Sequence, residues 1–265
     1  MKIAGYVSGI GVLGPGLNNW PDAAAVLSGR RAYEPAPTVL PVPSLLPATE
    51  RRRTGRVVKT ALAVALEATS RAGIEPAQLA SVFASSGADG HNCHEICQAL
   101  ALETREISPT RFANSVHNVA AGYWSIATGA KRASTVLCAF DASFSAGLLE
   151  ALTQVAVDEE SLLLIVYDTE YPDPMRSKRP IPDAFGAALV LTPHREAGSL
   201  ARIEASLGVG PCDPLPDAQL ESLRASIPAA RCLPLLRQLA MHGEGRAVLE
   251  YLDGSNIIVE IEPCN

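Results

Sequence analysis

The densest group of metal-binding and nucleophilic side chains in the sequence is His91-Asn-Cys-His-Glu-Ile-Cys97. On a helix Cys93 and Cys97 share a face one turn apart, with His91 and His94 close by. Zinc takes four such ligands, and no second Cys/His pair of matching spacing follows. The competing reading is a helix start carrying small buried thiols. Ser143 and Ser145 offer a different chemistry, because they sit just inside a helix that follows an apolar strand, a place where a nucleophile could stand. No base for them is identifiable, no G-x-S-x-G elbow occurs, and serine is common in the first turn of any helix. The glycines between residues 9 and 16 lack the spacing of a phosphate loop or dinucleotide fingerprint. On these residues alone no metal, no cofactor and no catalytic set is expected.

The elements that would position such groups alternate between short apolar runs and helical periods. Strands are predicted over residues 3–10, 81–85, 134–140, 161–167, 185–191 and 201–207, and helices over 18–28, 56–72, 93–102, 118–129 and 143–155. Gly73 stands at the left-handed cap position of the 56–72 helix. Five prolines between residues 30 and 54 forbid regular structure there. The runs at 134–140 and 161–167 are apolar without in/out alternation, which a sheet covered on both faces requires. The 118–129 helix is largely uncharged and so reads as buried. Residues 220–240 read as helix interrupted at Pro228 and Pro234, and residues 246–250 and 256–261 flank an Asp-Gly-Ser turn as a β-hairpin. The pattern predicts one layered α/β domain over residues 1–265, without repeat or long linker.

Composition narrows the partners. Of the 265 residues 48% are hydrophobic and 19% charged, enough apolar material for a large core. The net charge is −6, and Arg51–Arg53 is an isolated triplet, so nucleic acid is not an expected partner. No apolar stretch approaches the roughly 20 residues of a membrane span. The glycine-punctuated start reads as strand and turn instead of a signal peptide. The expectation is a cytoplasmic protein whose six cysteines are reduced thiols.

One stretch changes this reading. Residues 107–122, ISPTRFANSVHNVAAG, resemble the I-S-P-x-x-x-P-x-x-x-x-N-x-x-A-G segment of the β-ketoacyl synthase family: Ile107, Ser108, Pro109, Asn118, Ala121 and Gly122 fit, and Ala113 replaces the second proline. Other landmarks follow in order: the opening strand and turn, the helix ending Arg71-Ala-Gly-Ile74, the loop Ser177-Lys-Arg-Pro180 with Asp183, and the strand GAALVL at 186–191. The resemblance covers residues 1–207, with 208–265 left as a carboxy-terminal helix and hairpin. It implies a thiolase-like half, a sheet covered by helices on both faces.

In the family a cysteine nucleophile follows the strand and opens a long helix. That register falls on Asp141, with Cys138 three residues earlier and expected to be buried in the strand. A carboxylate there cannot form a thioester, but at a helix start it can cap free N–H groups. The two catalytic histidines of the family's carboxy-terminal half have no counterpart, and His242-Gly-Glu-Gly245 reads as a loop. The resemblance therefore implies a chain-length factor, the silent sibling of a full-length ketosynthase in type II polyketide systems, most like the short forms of aryl polyene pathways. Its implied partners are that synthase, in a heterodimer, and an acyl carrier protein through the complex. The implied interface and acyl-tunnel residues are Phe112, Asn114, His117, Asn118, Tyr123, Trp124, Val136, Cys138 and Phe140, with the edge strand 134–140 pairing across a pseudo-two-fold axis. Phe112, Tyr123 and Trp124 either plug a channel or are core. The alternative function is an acyltransferase or hydrolase in its own right, using Ser143, Ser145 or Cys138.

Overall fold

The computed structural model describes residues 2–87 and 89–264. Its eight strands form one mixed sheet. In chain order these are β1 (Lys2–Leu13), β2 (Ala80–Ala84), β3 (Ser134–Leu137), β4 (Leu162–Asp168), β5 (Phe185–Thr192), β6 (Ala201–Gly208), β7 (Gly245–Glu250) and β8 (Asn256–Pro263). The spatial order is β3-β2-β4-β5-β1-β6-β8-β7. β2 pairs with β3 and β4 in parallel, and the remaining pairs are antiparallel. The carboxyl ends of β3, β2 and β4 therefore open at the same end of the sheet, where ligands of α/β sheets bind.

The helices are α1 (Trp20–Leu27), α2 (Ala48–Arg51), α3 (Arg56–Ala72), α4 (Gly90–Ala101), α5 (Pro109–Ala113), α6 (Val119–Thr128), α7 (Ser143–Asp158), α8 (Ala218–Ser226) and α9 (Leu233–Met241). α3 and α6 cover one face of the sheet; α1, α7 and α9 cover the other. This double cover explains the unalternating run of β4. Leu162, Leu164 and Val166 enter the core under α7, and Leu163, Ile165 and Tyr167 enter the core under α3. The expected layered α/β arrangement is thus present.

The glycines of β1 have a packing reason. A Cβ on Gly9 would stand 2.2 Å from the Ala68 carbonyl oxygen, and one on Gly11 would stand 2.1 Å from that of Val64, both on α3. They let helix backbone lie directly on strand backbone, as conformationally bare residues do at close approaches. Gly73 ends α3 at φ 67°, in the left-handed cap predicted for it.

Several expectations need correction. The 134–140 strand is only four residues long, and it is half-exposed because it has a neighbour on one side only. Cys138 and Phe140 lie beyond it and are exposed. The 118–129 helix buries one face, with Gly122, Ser125 and Ile126 exposed on the other. Cys93 and Cys97 are exposed, because α4 rests on the molecule through little more than Gly90 and Asn92. Residues 30–54 contain the short α2 and bury Thr38 and Leu46, so that loop is packed. Pro234 sits in the first turn of α9, where a missing N–H costs nothing, so only the Pro228 break is real. The carboxy-terminal hairpin extends the same sheet through β8 and β6.

Candidate functional site

Three segments meet at the carboxyl ends of the parallel strands: residues 85–87 after β2, 138–142 after β3 and 169–184 after β4. Asp168, the last residue of β4, ties the first of them to the turn before α9. Its Oδ1 accepts from the Ser86 N–H at 2.9 Å, the Ser86 hydroxyl at 2.7 Å and the Ser85 hydroxyl at 3.3 Å. Its Oδ2 accepts from the Ala229 N–H at 2.8 Å, in the 3-10 turn Pro228–Cys232. Burial pushes the Asp168 carboxyl up to about 6, against the pull of the Ser86, Ala229 and Ser85 hydrogen bonds.

Between β3 and α7 the chain makes a 3-10 turn, Phe140–Ala142. Phe140 has φ 52°, a left-handed conformation that a bulky residue adopts only when its surroundings hold it there. The Arg179 guanidinium lies 3.9 Å over its ring, and the Ser143 hydroxyl donates to the Phe140 carbonyl at 2.7 Å while accepting from the Ala139 N–H at 3.0 Å. The Cys138 thiol donates to the Ser86 carbonyl at 3.2 Å.

Asp141 sits in this turn. Contrary to the cap expected for it, its carboxylate bonds no backbone N–H of the turn or of α7. Arg179 donates to its Oδ1 and Arg231 to its Oδ2, the latter at 3.0 Å. The two guanidinia outcompete the helix start because a charged fork meets a carboxylate more strongly than a peptide N–H does. Arg231 continues to Glu250, which Arg224 meets at 3.1 Å, and Arg224 reaches Glu221 at 2.6 Å. Burial opposes charge on Glu250, but the Cys212 thiol and the two arginines outweigh it and hold its carboxyl below the usual range. None of Arg179, Arg231, Glu250 or Asp168 was marked as functional by the sequence. The one signal near them was the Ser177–Pro180 loop with Asp183. Asp183 anchors that loop by accepting from Arg56 at 2.6 Å and from the Thr38 N–H at 2.7 Å.

The serine nucleophile reading does not hold. Ser143 is 1% exposed with its hydroxyl engaged as above, and the Ser145 hydroxyl donates to the Glu250 carbonyl at 2.5 Å. Both tie backbone together, and among the described residues no histidine bonds either one.

The other predicted residues divide by burial. Trp124 is 1% exposed and Tyr123 is buried, both packed in the core under α6. Asn114 is a clamp: its Nδ2 donates to the Arg53 carbonyl at 2.9 Å, and its Oδ1 accepts from the Tyr123 hydroxyl at 3.3 Å. It borders a cavity of about 540 Å³ that also touches Arg53, Asn92 and Arg111. His117 is half-buried, and burial lowers its pKa. Asn118 opens α6 without a side-chain cap bond. Phe112 is 67% exposed and Phe140 61% exposed, and Val136 is half-buried on β3. Among the described residues no cluster of three or more His, Cys, Asp or Glu is placed to hold a metal ion, and no helix is long and apolar enough to cross a membrane.

Similar proteins give this geometry its context. Among solved structures, a chain in the complex of the ketosynthase ApeO with its chain length factor ApeC from Xenorhabdus doucetiae superposes with a TM-score of 0.74 at 23% identity, over 97% of this chain and 99% of that one. A chain of AntDE:AntF, a type II polyketide synthase acyl-carrier protein in complex with its ketosynthase bound to the hexaketide, gives 0.77 at 11% identity over the whole of both chains. A β-ketoacyl synthase from Burkholderia phymatum STM815 gives 0.70 at 13% identity, again over the whole of both. No curated protein sequence matches. At these identities the superpositions establish the fold, which is thiolase-like. The family described as Beta-ketoacyl synthase, N-terminal domain, matches residues 21–217, about three quarters of the chain. With the strand order, the helix opening after β3 and the sequence match in agreement, the chain belongs to the β-ketoacyl synthase N-terminal domain family.

Proposed function

We propose that this chain is a non-catalytic, chain-length-factor-like subunit that pairs with a full-length ketosynthase and helps to bound the acyl chain built there. The observation that carries the reading is Asp141. At the position where the family's nucleophile is expected stands a carboxylate neutralised by Arg179 and Arg231. A carboxylate so held is a poor nucleophile toward a thioester, and the decarboxylating histidines of the family have no counterpart among its bonded neighbours. Support also comes from the likeness to a chain in a ketosynthase–chain length factor complex. The exposed ring of Phe140, just after the edge strand β3, agrees with it.

Pairing runs through the open edge of β3, with Val136 at its centre, and Phe112 and Phe140 are the rings available to meet the partner's acyl tunnel. Carrier protein then meets the complex and not this subunit alone. The system is of the type II polyketide kind, in the aryl polyene branch, and operates in the cytoplasm.

The test is co-expression with a full-length ketosynthase of the type II polyketide class. Co-elution as a one-to-one complex, with condensing activity that needs both chains, is the expected result. Ketoacyl product from this chain alone would overturn the reading, as would product from the single variant Asp141→Cys without a partner.

A further inference from the structure

Arg179 and Arg231 reach Asp141 from separate parts of the chain, one from the segment after β4 and the other from the turn before α9. Each presents a guanidinium nitrogen to a different carboxylate oxygen. Each arginine has a second contact besides Asp141. Arg179 is stacked on Phe140, and Arg231 is held by Glu250. Arg224, in turn, is shared between Glu250 and Glu221. Without Asp141 the network of three arginines keeps only two carboxylates, and the missing charge falls between two fixed guanidinia. The start of α7 lies beside this point with no side-chain cap of its own, and its dipole also favours a negative charge. Arg231, Arg224 and Glu250 all lie beyond residue 217, outside the part of the chain that the family match covers.

We infer that Arg179 and Arg231 form a carboxylate-binding site at the head of α7, which this chain fills with its own Asp141 side chain and which takes a small free carboxylate when that side chain is removed. Planar guanidinia match carboxylate geometry, and two of them fixed in advance lose little freedom on binding. The site favours negative charge at position 141, whatever group carries it.

Two variants of the full chain test this, and neither depends on a partner or on the functional reading. Asp141→Ala should unfold several degrees lower than the native chain. Sodium acetate should restore at least half of that loss, saturably, while sodium chloride of equal ionic strength does not and the native chain responds to neither. Equal effects of acetate and chloride overturn the inference. If Asp141→Ala does not fold, Asp141→Cys decides. Iodoacetamide alkylates a thiolate by forming a C–S bond and expelling iodide, so the pH dependence of modification at residue 141 reads the charge that the arginines favour. Its midpoint should lie at least one unit below the roughly 8.5 of a free thiol. Adding Arg179→Ala should bring it back up. A midpoint at or above that of a free thiol overturns the inference.

Discussion

β7 and β3 are the two edge strands of one sheet, and among the described residues only β7 has its outward main chain bonded by its own chain. The Val248 N–H on β7 donates to the Asp213 carboxylate at 2.8 Å, and the Val248 carbonyl accepts from the Asp213 N–H at 2.9 Å. Arg246 faces Glu260 across the hairpin at 3.6 Å, and Glu250 is tied into the arginine network. Among the described residues nothing bonds the outward main chain of β3, and no residue from Ser134 to Leu137 carries a charge. Proteins protect exposed edges with charge, short length or a covering segment. β3 has only shortness, and exposed Phe140 follows it three residues on. The difference supports the proposed pairing, because the chain closes one edge of its sheet with Asp213 and leaves the opposite edge open.

The largest effect should come from breaking β3 at its centre. Val136→Pro removes an N–H and should abolish co-elution with the ketosynthase while the chain stays folded by circular dichroism, whereas assembly at native yield would place the interface elsewhere. The core behind that edge separates from its surface in the same way. Trp124→Ala should cost about 3–5 kcal/mol in chemical denaturation, as truncation of a buried aromatic does, without altering product length. Uncovering the other edge is milder. Asp213→Ala removes a charged acceptor and should cost about 1.5–3 kcal/mol, with new self-association at high protein concentration as its diagnostic sign. If Asp213→Ala stays monodisperse, the contrast between the two edges weakens.

The pH dependence should localise to the parallel end of the sheet. Asp168 has a folded value near 6, above the ordinary 3.8, so its protonated form favours the fold. Its contribution is therefore present below pH 3.8 and is lost as pH rises through 6, by up to roughly 1–3 kcal/mol. Asp168→Asn should flatten that slope in urea denaturation between pH 4 and pH 7. The smallest effect on stability belongs to Phe112→Ala, within about 0.5 kcal/mol for an exposed position. Its readout is the mass of the product from the reconstituted pair, and unchanged chain length would remove this ring from the tunnel.

Much of the fold was legible because burial on two faces leaves a composition signature. The unalternating LLLIVY of β4 and the Ala/Leu-rich α3 ending at Gly73 both read correctly from residue type alone. The same reasoning failed at β3. STVL looks as buried as β4 does, and an apolar run does not reveal whether its strand lies inside a sheet or at its edge. It failed for Cys93, Cys97 and Cys138 because a small thiol suits both core and surface. Of the arginine-bound cluster only Asp141 was singled out in the sequence, through alignment to a family segment. Its partners were not, because Arg179 and Arg231 stand 38 and 90 residues away along the chain.

By itself the sequence determined the element types, the double-sided burial of the sheet, the hairpin at the end and the absence of a thiol at position 141. These are local consequences of backbone freedom, side-chain volume and periodicity. Only the tertiary structure decided that Asp141 answers two arginines and not a helix start, that Ser143 and Ser145 bind backbone, and that β3 stands open while Asp213 closes β7. Charge pairing and edge protection are set by which distant residues the topology brings within hydrogen-bond reach, and spacing along the chain carries no record of that.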